Sequence, residues 1–221
     1  YGWLESFDPG WTPNTTDAGM RRYRYGAQPQ IAHWNLLQLA NALARLVDDT
    51  ASLQAGLDGY ARLYAERFQA MMAERLGWGS PQEGDGALID ELFQALVSTE
   101  VDQVLFFRDL PTGDVSAAYY ADDPDTGAVD AWLRAWRERA GDLDDERRRR
   151  MDAVNPRFVL RNYLAQEAID AAESGDLSLV HELLDVLRHP YDEQPGRERF
   201  AAKRPEWARH RVGCSMLSCS S

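Results

Sequence analysis

The chain has 221 residues, with 24 Lys and Arg against 36 Asp and Glu, a formal net charge of −12, and 44% hydrophobic residues. This is the composition of a folded globular chain rather than a disordered one, and the acid surplus works against a non-specific nucleic-acid binder, whose phosphate partner demands Lys and Arg in excess. No apolar run reaches the roughly 18–20 residues needed to cross a bilayer, so neither nucleic acid nor a membrane is expected as a partner.

The opening Tyr1-Gly-Trp-Leu-Glu has no initiator Met, basic stretch or apolar stretch of a signal peptide and reads as the middle of a longer protein. Residues 1–28 hold two prolines and four glycines, which predicts a long irregular loop, and Trp3, Phe7, Trp11 and Tyr23 predict that it is pinned onto something apolar. From Pro29 the period turns helical, with Ile31, Trp34, Leu37, Leu39, Leu43 and Leu46 as an apolar stripe. A second helix is expected over about 52–76, with Leu53, Leu57, Tyr60, Tyr64, Phe68, Met71 and Met72 on one face and Gly77-Trp78-Gly79 ending it. Helical patterns recur at about 87–98, 100–109 and 128–140, with a polar one at 142–153. Asn155-Pro156 reads as an N-cap and first helical residue opening a helix through about Glu173, which stops at Ser174-Gly175. Asp176 then caps a helix through Val180, Leu183, Leu184 and Leu187 that ends before Pro190. Almost nothing alternates with period two, so the class is mainly α, in three stretches: 1–28, 29–154 and 155–221.

Residues that could carry chemistry are few. His33, His181, His189 and His210 form no metal-ligand spacing and read as structural. The acidic runs at Asp48-Asp49, Asp122-Asp123-Pro124-Asp125 and Asp142 to Glu146 read as turns, helix starts and solvated faces; the second lacks the central Gly and terminal Glu of a calcium loop. Arg147 to Arg150 follow Asp144 to Glu146 at spacings that give acid-to-base pairs on an exposed helix. Arg21, Arg22 and Arg24, interleaved with Tyr23 and Tyr25, suit a phosphate or carboxylate, or else anchor the loop to the acidic body. Trp3, Trp11, Trp34, Trp132, Trp136 and Trp207 read as core. Both cysteines, Cys214 and Cys219, lie in the last eight residues. The body therefore has no disulfide framework, and a reducing, cytoplasmic compartment is the natural reading.

Several stretches together resemble the selenoprotein O family. They are Gly2-Trp-Leu-Glu, Phe7-Asp-Pro-Gly, Asn14, Asp17, Tyr23-Arg-Tyr-Gly and Gln28-Pro-Gln-Ile-Ala-His-Trp-Asn, then Asn155-Pro-Arg-Phe-Val-Leu-Arg-Asn-Tyr-Leu-Ala-Gln-Glu-Ala-Ile, Pro190-Tyr-Asp-Glu-Gln-Pro, Trp207 and the ending Ser218-Cys-Ser-Ser. Residues of about 47–154 are similar in helical pattern alone. The resemblance implies a protein-kinase-like fold, a pseudokinase by sequence, that binds ATP with magnesium and transfers AMP to Ser, Thr or Tyr hydroxyls of protein clients. It implies that this chain is the C-terminal half: an activation-segment-like loop over 1–28, then C-lobe-like helices and a cysteine-containing tail. The nucleotide, metal and catalytic residues would lie upstream, with none in this chain, so that the chain alone is expected to be inactive and, with C-lobe surface uncovered, to self-associate. Cys219, with Cys214, is the candidate redox pair, although Pro13 stands where some members carry the activation-segment cysteine. Two other readings remain open: a non-catalytic helical interaction module, and a thiol-based redox protein acting through Cys219.

Overall fold

The computed structural model describes residues 4, 6–12, 19–99, 101–113, 115 and 126–214. Among them the chain is mainly helical: α1 (Gln28–Leu43), α2 (Ala51–Arg75), α3 (Asp85–Thr99), α4 (Gln103–Asp109), α5 (Gly127–Ala140), α6 (Asp145–Val154), α7 (Asn162–Glu173) and α8 (Ser178–Leu187). An isolated antiparallel bridge pairs Ser6 with Asp102.

Helical period explains the packing. In α3 the buried residues are Ile89, Leu92, Ala95, Leu96 and Thr99, and in α5 they are Val129, Trp132, Leu133, Trp136 and Ala140, both sets at three- and four-residue spacing. The two stripes face one another. The indole N–H of Trp132 donates to the Leu88 carbonyl at 2.8 Å and that of Trp136 to the Leu76 carbonyl at 2.9 Å, so neither buried ring leaves its polar atom unmet. With Met72, Leu76, Phe106, Leu110 and Met151 these residues form a first apolar core. A second core gathers Phe158, Tyr163, Leu164, Leu183, Val186, Phe200, Ala208 and Cys214 around α7 and α8.

Asp144 N-caps α6 by accepting from the Arg147 N–H at 2.7 Å, and Asp49 accepts from the Ala51 N–H at 2.9 Å at the start of α2. The α2 helix ends as expected at Gly77, whose φ of +70° is the left-handed conformation of a helix stop, with the Trp78 N–H on the Ala73 carbonyl at 2.8 Å.

Two expectations need correcting. The helix predicted from Asn155 begins instead at Asn162. Asn155 is the C-cap of α6 in extended conformation, and its side chain is engaged by Arg75 rather than by a following turn. The Arg157 and Phe158 N–H groups donate to the Pro190 carbonyl at 2.7 and 3.0 Å, which draws 155–161 into a crossing segment; long-range partners override the Asn-Pro cap signal. The α1 stripe is the second correction. No residue of α1 is buried, and Trp34 is 43%, Leu39 54% and Leu46, just past the helix, 80% exposed.

Candidate functional site

The N-terminal segment is pinned to the first core through Phe7 and Trp11, whereas Tyr23, also expected to pin it, is 44% exposed. Leu4 and Phe7 are buried, and the Phe7 ring stacks on Phe93 with centroids 5.0 Å apart. The Phe7 N–H donates to the Val101 carbonyl at 3.1 Å. The chain then doubles back, with the Tyr25 N–H on the Trp11 carbonyl and the Gly26 N–H on the Pro9 carbonyl, both at 2.8 Å. Gly26 suits this close approach: a Cβ would lie 3.0 Å from both the Pro9 carbonyl oxygen and the Pro9 Cβ.

Where this doubled segment meets α1 and α2, an open groove of about 500 Å³ is lined by Phe7, Pro9, Tyr25, Tyr60, Tyr64 and Phe93, with Phe68 below. The aromatic rings run along α2: Tyr60 to Tyr64 at 6.2 Å, Tyr64 to Phe68 at 6.0 Å and Phe68 to Phe93 at 6.2 Å. His33 stacks on Tyr60 at 5.2 Å, and the Tyr60 hydroxyl donates to the Pro29 carbonyl at 3.0 Å, which fixes α1 against α2. Burial raises the Tyr25 phenol above its ordinary pKa, against the lowering effect of Arg75. Burial likewise raises Tyr64, with Tyr60 adding to it. The lining is thus a set of neutral aromatic surfaces with hydroxyl tips, suited to apolar or aromatic groups of a partner.

A basic edge adjoins the groove. Arg21 donates to the Gly10 carbonyl at 3.5 Å, Arg24 to the Arg21 carbonyl at 3.2 Å, and the Arg22 guanidinium lies 4.1 Å from the centroid of the Trp34 ring. Among the described residues Arg21 and Arg24 hold backbone carbonyls of their own loop. Deeper in, Arg75 lies 3.7 Å from the Phe107 ring centroid and donates to the Asn155 Oδ1 at 2.9 Å. Burial lowers its pKa to about 10, partly opposed by Tyr25 and Tyr191, so it remains a cation at neutral pH.

The two cores meet across a polar seam. Arg161 and Asp102, 1% and 2% exposed at their side chains, pair at 2.5 Å, while the other Asp102 oxygen accepts from the Val104 and Leu105 N–H groups at the start of α4. Arg108 donates to the Asp152 and Asn155 carbonyls at 2.9 and 3.0 Å and to Glu193 at 2.8 Å. Arg157 lies 4.0 Å from Asp109 and 3.7 Å from Glu193. Composition and period carry no sign of this seam. Asn155, Arg157, Arg161 and Glu193 nevertheless stand inside the motif stretches Asn155 to Ile169 and Pro190 to Pro195, whereas Asp102, Arg108, Asp109 and Asp152 lie outside them.

The remaining candidate residues scatter. His181, His189 and His210 are exposed, and His189 lies 3.6 Å from Asp192. Trp132 and Trp136 are core as expected, whereas Trp34 and Trp207 are 43% and 45% exposed. Arg150 pairs with Glu146 at 3.6 Å as expected, but Arg147 turns inward to the Gly77, Ala140 and Asp142 carbonyls. The Cys214 thiol is buried in the second core at 3% exposed. Cys219, Trp3, Pro13 and Asp122 to Asp125 lie outside the described residues. Among the described residues no group of three or more His, Cys, Asp or Glu is placed to hold a metal ion. Asp49 and Asp144 hold helix-start N–H groups. No described helix is long and apolar enough to cross a membrane.

The family model for protein adenylyltransferase SelO matches residues 1–188. The chain belongs to the SelO family. Among curated relatives it is 56% identical to the protein nucleotidyltransferase YdiU of Aromatoleum aromaticum and 52% identical to that of Azoarcus sp., in each case over 100% of this chain and 45% of the relative. The YdiU protein of Rhodopirellula baltica is 51% identical over 100% of this chain and 46% of its own length. The chain therefore spans somewhat less than half the length of these SelO-family relatives.

Proposed function

We propose that these 221 residues form the C-terminal, C-lobe-like part of a kinase-like protein adenylyltransferase. The whole protein moves AMP from Mg-ATP onto Ser, Thr or Tyr hydroxyls of protein clients, with residues 1–28 as the activation-segment equivalent. In the reaction the client hydroxyl oxygen bonds to the α-phosphorus of ATP, the bond from that phosphorus to the bridging oxygen breaks, pyrophosphate leaves, and the hydroxyl proton passes to a base. The nucleotide, the metal and the base are assigned to the part of the protein outside this chain, and the compartment to the cytoplasm. The observation that carries this reading is the SelO family match across residues 1–188.

The test is label transfer with ATP labelled at either the α- or the γ-phosphate, using a full-length SelO-family member and this chain in parallel. The full-length protein should transfer α-label and no γ-label to client protein, and the chain alone should transfer neither. Robust α-label transfer by the chain alone would overturn the placement of the catalytic groups. Transfer of γ-label by the full-length protein would overturn the reaction type. A second reading, a helical interaction module that acts without nucleotide, has the exposed α1 face in its favour and would show as client binding unaffected by ATP.

A further inference from the structure

We infer that Arg161 is a positioning residue for the N-terminal segment: by holding Asp102 it sets the extended stretch 101–103, on which Leu4, Ser6 and Phe7 hang. The second core thereby governs where the activation-segment equivalent sits. The inference rests on the reading above wherever it concerns AMP transfer.

The line of contacts is continuous. The backbone at Asp102 is extended, with φ −70° and ψ 105°, and leads directly into α4. Three consecutive residues of this stretch receive the N-terminal segment. The Phe7 N–H donates to the Val101 carbonyl at 3.1 Å, Ser6 bridges to Asp102, and the Gln103 side-chain amide donates to the Leu4 carbonyl at 3.4 Å. Paired extended backbones share one register, so a shift at residue 102 is felt at residues 4–7.

Asp102 is gripped from the other side. Its Oδ1 accepts from the Val104 and Leu105 N–H groups at 3.1 and 3.2 Å, and its Oδ2 accepts from Arg161 Nη1 at 2.5 Å. Arg161 immediately precedes α7, between Phe158 and Tyr163 of the second core, so that core carries its guanidinium. The other seam arginines act elsewhere: the partners of Arg108 and Arg157 are Asp109, Asp152, Asn155 and Glu193, all outside 101–103. A buried carboxylate that loses its cation protonates or turns toward water. Either change loosens the start of α4 and the extended geometry at residue 102. The competing anchor is the stack of Phe7 on Phe93. That stack belongs to the first core, and acting alone it would leave the segment indifferent to Arg161.

The experiment is hydrogen exchange on this chain with and without Arg161→Met. Exchange at the Phe7 amide should rise at least about tenfold beyond any rise at the core α3 amides. An equal rise at Phe7 and α3, or none at Phe7, overturns the inference. If Arg161→Met does not fold, Arg161→Met with Asp102→Leu removes both charges and is read in the same way. Activity is read in a chimera in which this chain replaces the matched part of the Aromatoleum protein. There Arg161→Met should lower kcat for AMP transfer at least about tenfold and leave KM for ATP within about twofold, the mark of a residue that places a segment and binds no nucleotide. Adding Asp102→Leu should recover melting temperature and not kcat. Recovery of both together would reduce Arg161 to a purely structural role and overturn the inference. An inactive unsubstituted chimera, with Phe7 exchange still answering to Arg161, sinks the activity and leaves the positioning standing. Full transfer in Arg161→Met, with Phe7 exchange unchanged, does the reverse.

Discussion

Asp85 shows how one carboxylate can be read from its neighbours. It opens α3 at 7% exposed, accepts from Arg139 at 2.7 and 3.0 Å, and accepts from the Gln82 N–H at 2.7 Å. Burial by itself pushes its pKa up, but the Arg139 and Gln82 hydrogen bonds outweigh burial and hold it below the ordinary 3.8. An acid whose pKa is lower folded than unfolded adds stability above its unfolded value and loses it as pH falls through its folded value. Asp85→Asn should therefore cost about 2 kcal/mol in urea unfolding at pH 7, the worth of a charge-assisted bond. The gap between the two proteins should narrow as pH falls below about 4. A gap that stays constant over that range would show that the ionised Asp85 is not the source of the difference.

At the scale of the element, helix ends carry much of the information. Gly77 ends α2 at φ +70°, and a Cβ there would overlap the Met151 sulfur, so Gly77→Ala combines backbone strain with overpacking. It should destabilise by about 2 kcal/mol in thermal melts, while Gly79→Ala, with nothing within 4 Å of its Cβ position, should be near neutral. Equal effects at both glycines would refute this account of the stop. These ends also show what a sequence can reveal. Asp49, Asp144 and the backbone turn at Gly77 act through atoms within a few residues of themselves, and such roles are legible in the chain alone, unlike the Met151 sulfur that crowds Gly77. Asn155 misleads because its partner, Arg75, stands 80 residues away. Arg147 reads as one member of a solvated run, yet it gathers the carbonyl ends of α2 and α5 beside the start of α6. Period places the α1 helix correctly, but period reports which face is apolar and not what covers it. The groove is hidden for the same reason, since Phe7, Tyr25, Tyr60 and Phe93 share no sequence interval.

At the scale of the molecule, ions and hydrogen bonds join the two apolar cores among the described residues. Removing one member of a buried pair strands the other, which costs about 3–5 kcal/mol. Arg161→Met should therefore lower stability by that order and split a single calorimetric transition into two, one for each core. Asp102→Leu added to Arg161→Met should restore part of the loss by removing the stranded charge. One unchanged cooperative transition in Arg161→Met would show that the cores are coupled some other way. The same seam sets the tempo of folding. Its bonds join residues 59 apart at Arg161 and Asp102, 80 apart at Arg75 and Asn155, and 85 apart at Arg108 and Glu193. Closing loops of that length costs chain entropy before any bond rewards it, whereas the turns of α7 and α8 form from near neighbours. The half built around α7 and α8 therefore takes shape early, and the arginines of the seam find their acids and carbonyls only afterwards.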